Sequence, residues 1–147
     1  PNCPSTTQNG VTETQTTNSG TAGGVNESKS NTLTNTNETL LKNEYLVSNN
    51  KEYFAIMQGD GNFVTYKGSG PDDNKGAFWA SSTVGEESYA IMQSDGNFVI
   101  YKGSGPSNNL GFKWGTMTQN NGVKVTLEDN GQLNVYNASN QVIWSKP

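Results

Sequence analysis

The chain has 147 residues, a formal net charge of −4 from nine Lys+Arg against 13 Asp+Glu, and no histidine. That acidic balance argues against nucleic acid or an anionic membrane as the main partner, and no run approaches the ~18 apolar residues that membrane insertion needs. Without histidine, and with Cys3 as the single cysteine, the usual general base, Cys/His zinc sites, Cys–His nucleophile pairs and an intrachain disulfide are all excluded, which points away from an enzyme and leaves only Ser/Lys or two-carboxylate chemistry open.

Residues 1–36 differ in kind from the rest. Thr, Ser, Asn, Gln and Gly fill 26 of those 36 positions, and no aromatic occurs before Tyr45. Val11, Val25 and Leu33 are isolated, so neither helical nor alternating periodicity forms. Such a segment cannot bury enough apolar surface to offset its ordering entropy alone. It reads as a linker, a mucin-like stalk or an extended arm, ahead of a domain over 37–147. An arm of this kind gains order by lying along the sheet edge of a neighbouring subunit. Cys3 is then a free thiol or an intermolecular bridge. The start at Pro1, without a charged and apolar leader pattern, reads as a mature or trimmed chain. Asn26, Asn37 and Asn137 each open an Asn-x-Ser/Thr triplet. They are candidate N-glycosylation sites in a secreted protein, although such triplets also arise by chance in this composition.

From about Asn37 short apolar or alternating runs appear, separated by Asn, Gly, Asp and Ser clusters. Leu40, Leu41, Tyr45, Leu46 and Val47 come first, then Ser48-Asn49-Asn50, then Tyr53 to Met57. This pattern marks β-strands joined by tight turns. No segment of ten or more residues carries helical periodicity, so the domain is expected to be all-β.

One stretch then occurs twice. Residues 55–71 read AIMQGDGNFVTYKGSGP and residues 90–106 read AIMQSDGNFVIYKGSGP, agreeing at 15 of 17 positions with an offset of 35. A third, eroded copy, LEDNGQLNVY at 127–136, follows at the same offset. A fixed period in this range signals a repeat architecture. In each unit the Asp-Gly dipeptide supplies a hairpin turn. Side chains alternate faces along a strand, so Phe63, Phe98 and Leu133, with Met57, Met92 and Leu127, are expected in the core. Tryptophans lie 13, 13 and eight residues after Tyr66, Tyr101 and Tyr136, namely Trp79, Trp114 and Trp144. One large aromatic per repeat suggests three anchors around a common axis.

The opposite face carries Gln58, Asp60, Asn62, Val64 and Tyr66, repeated as Gln93, Asp95, Asn97, Val99 and Tyr101. Apart from valine, these groups hydrogen-bond in complementary ways: the carboxylate accepts, the amides do both, the phenol does either. Such a patch suits a small polyhydroxylated ligand, with the valine against a C–H face. The competing reading is local: Asp-Gly-Asn is a common turn, and its amides can satisfy nearby backbone groups without a ligand. In the third copy the apolar positions stay apolar while the polar set drifts to Glu128, Asn130, Gln132, Asn134 and Tyr136.

The string Gln-x-Asp-x-Asn-x-Val-x-Tyr, intact twice, resembles the signature of the bulb-type (monocot, snowdrop-like) mannose-binding lectins. The resemblance extends to residues 38–46 and 79–83 and covers roughly 31–147. It implies a β-prism II, three four-stranded sheets about a pseudo-threefold axis with the tryptophans inside. It also implies two mannose sites, at 58–66 and 93–101, in which Gln, Asp, Asn and Tyr bond sugar hydroxyls and Val packs on the ring. The third site is expected to be degenerate, and no metal or cofactor is implied. The disulfide common in plant members is missing. About four hydrogen bonds at about 1 kcal/mol each correspond to a millimolar dissociation constant. Useful binding of mannose-containing glycans or glycoproteins then calls for several sites acting together, hence a homo-oligomer, secreted and extracellular. The alternative reading is a structural subunit of an extracellular fibre or surface assembly, filamentous through the N-terminal arm.

Overall fold

The computed structural model of the chain describes residues 27–147. The expectations for Cys3, for Asn26 and for most of the arm lie outside those residues.

Thirteen strands are described: β1 (Glu27–Ser28), β2 (Thr32–Thr34), β3 (Glu38–Leu40), β4 (Glu44–Val47), β5 (Tyr53–Met57), β6 (Phe63–Gly68), β7 (Asn74–Ala80), β8 (Ser88–Met92), β9 (Phe98–Gly105), β10 (Asn108–Gly115), β11 (Gly122–Leu127), β12 (Leu133–Asn137) and β13 (Val142–Lys146). They build three sheets, ordered β1-β4-β5-β6-β7 (sheet I), β10-β9-β8-β3 (sheet II) and β13-β12-β11-β2 (sheet III). The four-stranded antiparallel sheets are as expected; sheet I gains the two-residue β1 on its edge, paired in parallel with β4.

The repeat explains the shape of each sheet. Each unit runs strand, Asp-Gly or Asn-Gly turn, strand, loop, strand. Met57 pairs with Phe63, Met92 with Phe98 and Leu127 with Leu133 across the three turns, and all six are 0 % exposed. With Leu40, Leu46, Ile100 and Val135 they form one continuous core. Thr65 occupies the place of Ile100 and Val135; it is buried and its hydroxyl has no partner, a cost of about 1–3 kcal/mol. Trp79, Trp114 and Trp144, one per sheet, meet with ring centroids 5.9, 6.2 and 5.6 Å apart, tilted or edge-on. That is the arrangement ring quadrupoles favour, and it marks the pseudo-threefold axis.

Each unit supplies three strands, so every sheet needs a fourth from elsewhere. Sheet I takes β4, sheet II takes β3 and sheet III takes β2. Residues 27–47 therefore touch all three sheets. This moves the start of the fold ahead of Asn37, into the segment whose composition reads as arm. Leu33 pairs with Val125, is 3 % exposed and joins the core. A three-residue strand needs only one buried side chain when a sheet edge supplies its backbone partners, and one leucine in a polar run makes no periodicity. Leu33→Ala is expected to lower the unfolding free energy by about 2–5 kcal/mol, measured by urea denaturation.

Candidate functional site

Each intact motif wraps one hairpin turn. Gln58 follows β5, Asp60 and Gly61 make the turn, Asn62 leads into β6, and Val64 and Tyr66 lie on β6; residues 93–101 repeat this on β8 and β9. Gly61 and Gly96 have φ of 91° and 95°. A Cβ on Gly61 would come within 2.2 Å of the Glu86 carbonyl oxygen, so both conformation and space require glycine.

The polar side chains form a directed chain of hydrogen bonds. Gln58 Nε2 donates to Asp60 Oδ1 at 3.1 Å, and the Asn62 backbone N–H donates to the same oxygen at 2.9 Å. A carboxylate only accepts, so the glutamine must turn its nitrogen to Asp60 and its oxygen to Tyr66, whose hydroxyl donates to Gln58 Oε1. The second motif repeats every link: Gln93 to Asp95 at 3.1 and 3.3 Å, Asn97 N–H to Asp95 at 2.9 Å, Tyr101 to Gln93. With those bonds made, the phenol oxygen has lone pairs left to accept, glutamine a second N–H to donate, and the carboxylate further lone pairs. Acceptor, donor and acceptor in a row suit neighbouring hydroxyls, each of which gives one hydrogen bond and takes another.

Asn62 and Asn97 are held by groups absent from the sequence motif. Asn62 Oδ1 accepts from Ser81 Oγ (3.3 Å) and Thr83 N–H (3.1 Å), while Thr83 Oγ1 donates to the Gly61 carbonyl (2.6 Å). Thr116, Thr118 and Gly96 do the same for Asn97 at 3.2, 3.3 and 2.7 Å. The clue was present in the sequence, as hydroxyl residues at i and i+2 repeated with the offset of 35. Lys113, on β10 of sheet II, adds a brace from the neighbouring sheet. Its Nζ donates to the Thr83 carbonyl and to Ser88 Oγ at 2.9 Å, and lies 3.4 Å from both the Gly61 carbonyl and Glu86.

Val64 and Val99 sit deeper than an outward patch suggests, 3 % and 1 % exposed, and Asn97 is 4 % exposed. The valines are a floor beneath the polar rim, opposite Ile56 and Ile91. Below Tyr66 lies Phe54, stacked at 5.2 Å, and below Tyr101 lies Tyr89 at 5.7 Å.

The third copy keeps the turn and loses the donor–acceptor sequence. Asn130 Oδ1 still accepts from the Gln132 backbone N–H at 3.0 Å. The Glu128 side chain, however, has no N–H, and both Tyr136 Oη and Asn134 Nδ2 donate to its Oε2. Asn134 and Thr126 replace the Val/Ile floor; Asn134 is buried and its Oδ1 has no partner. Lys124 Nζ stands 4.9 Å above the Tyr136 ring.

Of the remaining candidates, Asn37 is exposed and its side chain accepts from Ser94 N–H at 2.9 Å, beside the second motif. Asn137 closes the β12–β13 turn, bonding Ser139 and Gln141 at 2.9–3.0 Å.

No family model and no curated protein matches the sequence, but solved structures do. A monomeric monocot mannose-binding lectin from Gastrodia elata is 31 % identical, with 78 % of this chain and 94 % of that one covered and a TM-score of 0.62. The mannose-specific agglutinin from snowdrop (Galanthus nivalis) bulbs, complexed with methyl-α-D-mannoside, is 30 % identical, over 74 % and 90 %, with a TM-score of 0.58. A lectin from Allium sativum is 32 % identical, over 79 % and 99 %, with a TM-score of 0.56. The chain belongs to the bulb-type mannose-binding lectin family. Its fold is the β-prism II, and its relatives are lectins, not enzymes.

Two expectations follow for this bulb-type lectin. Thr118→Val leaves the Gly96 carbonyl without its hydroxyl partner and should cost about 1–3 kcal/mol in urea unfolding. The Glu128 hydrogen bond first, then burial, raise the Tyr136 phenol above its ordinary value, and burial followed by the Asp60 charge does so for Tyr66. The native state thus holds these protons more tightly than the unfolded chain. The resulting stability is present below about pH 10 and lost as pH rises through the folded-state values. The fall in melting temperature above about pH 10 should be shallower in Tyr136→Phe.

Proposed function

We propose that the protein binds mannose-type glycans at two sites per chain, 58–66 and 93–101, and that the third face does not take the same sugar. One observation carries this reading: the Tyr–Gln–Asp hydrogen-bond chain is built identically twice and is broken in the third repeat by a glutamate that cannot donate. The local alternative, that Gln and Asn only satisfy the turn, accounts for Asn62 Oδ1 and Asp60 Oδ1. It does not account for the order of acceptor and donor that the first two repeats share along the rim, because the third repeat holds its turn without it. The Gastrodia lectin is mannose-binding and the snowdrop agglutinin mannose-specific, which supports the same sugar here. With one small site worth a millimolar affinity, two sites on one chain, and more in a homo-oligomer, would act through effective concentration on branched or dense glycans. The glycans of a secreted lectin are extracellular.

Asp60→Asn/Asp95→Asn is the sharp variant, since Asn130 shows that asparagine supports the turn. The unsubstituted protein should be retained on mannose-agarose and eluted by free mannose, with two sites per chain by calorimetry. The double variant should fold and pass through unretained. Retention equal to that of the unsubstituted protein would overturn the site assignment.

A further inference from the structure

The two intact motifs are nearly identical in sequence, yet their surroundings differ at one place on the same face. Directly opposed residues of an antiparallel pair share a face. The strand partner of Tyr66 is Ala77, that of Tyr101 is Phe112, and that of Tyr136 is Val142. Phe112 is 52 % exposed, and its ring stands edge-on to Tyr101 with centroids 6.3 Å apart. It is held from behind: Tyr101 stacks on buried Tyr89, and Tyr89, Ile91 and Val99 form a satellite apolar cluster with Leu41 and Tyr101 against it. Sheet I has the equivalent floor, Phe54, Ile56 and Val64 beneath Tyr66, but Ala77 where sheet II has Phe112. The exposed ring therefore continues an apolar wall that begins at the floor of the second motif and passes through the phenol whose hydroxyl sits at its rim.

A half-exposed phenylalanine on an edge strand is a liability for solubility, and the fold does not need one there, because Ala77 fills the same place in sheet I. We propose that Phe112 gives the 93–101 site an accessory subsite that the 58–66 site lacks. Its occupant is a flat apolar face carried by the bound mannoside, either the C–H face of a second hexose or an aryl group. A sugar seated over Val99 with its hydroxyls on Gln93 and Tyr101 has one rim toward Phe112, and a substituent on that rim meets the ring. The two sites then differ in preference: 58–66 reads a single hexose, and 93–101 reads a hexose with its neighbour. This rests on the sugar reading of the motif.

The test is calorimetry on single-site proteins, Asp60→Asn leaving 93–101 and Asp95→Asn leaving 58–66. The ligands are methyl α-mannoside, 4-nitrophenyl α-mannoside and the α1→2, α1→3 and α1→6 mannobioses. The readout is the ratio of each extended ligand's affinity to that of methyl α-mannoside. In Asp60→Asn at least one ratio should be about three- to tenfold, the range of one aromatic contact. Aryl and mannobiose arms tell the two sources apart. Adding Phe112→Ala should bring the ratio to that of Asp95→Asn, and adding Ala77→Phe to Asp95→Asn should raise it. Equal ratios in the two single-site proteins, or a ratio that survives Phe112→Ala, overturns the subsite while leaving the sugar sites standing. A dimer that Phe112→Ala converts to monomer, with the ratio unmoved, reassigns the ring to a subunit contact and also overturns it. Failure of the unsubstituted protein to bind any mannoside removes the sugar reading, and the subsite with it.

Discussion

Three glycine turns, each pressed into the next sheet, are the constraint on which both fold and site depend. A Cβ on Gly61 would meet Glu86 in the approach to sheet II, one on Gly96 would meet Gly122 at the start of sheet III, and one on Gly131 would meet Tyr53 and Phe78 of sheet I. The circle closes through hydrogen bonds as well. Gly85 N–H bonds the Asp60 carbonyl at 2.9 Å, Asn120 N–H the Asp95 carbonyl at 2.6 Å, and Asn50 bonds Asp129 at 2.9–3.0 Å. Each turn is thereby immobilised by a neighbour that carries the equivalent turn. The polar groups displayed at the turn inherit that rigidity, so their ordering entropy is already met on folding.

Within this frame the two faces of each hairpin follow different rules from one repeat to the next. The inner face tolerates Met for Leu and Phe for Leu, because apolar volume is what the axis requires. On the outer face one change alters the chemistry. Gln to Glu at position 128 turns a group that both gives and takes into one that only takes, and Val to Asn at 134 converts the floor to an amide with an unpartnered oxygen. The third sheet shows that the prism survives this, which separates what holds the molecule together from what its outer face displays.

Much of this was legible in the chain itself. The period of 35 placed the hairpins, the core residues and the tryptophan triangle, because each signal was repeated. The β-strand at 32–34 was not legible: its one buried residue, Leu33, is recruited by the edge of sheet III at Val125, beside which Thr32 Oγ1 meets Thr126 Oγ1 at 3.0 Å across 94 positions of sequence. Alternation assigned Val64 and Val99 to the outer face correctly but could not give their depth, which depends on the side chains rising around them. Lys113 was invisible for another reason. It occupies the position of Phe78 in the preceding unit, so the repeat itself disguised a cation that caps carbonyls as a place for an aromatic ring.

The run from 27 to 47 has a kinetic meaning. Its strands are synthesised first, yet β3 pairs with β8 and β2 with β11, so these segments wait on the ribosome for partners made much later. Contacts of such sequence separation place the molecule among high contact-order topologies, which close slowly. Sheet I, whose four consecutive strands are neighbours in the chain, is the natural nucleus. Sealing the axis needs β2 on sheet III, and until Leu33 pairs with Val125 that sheet keeps an unpaired edge beside the core, the kind of transient surface that exposes a folding chain to aggregation.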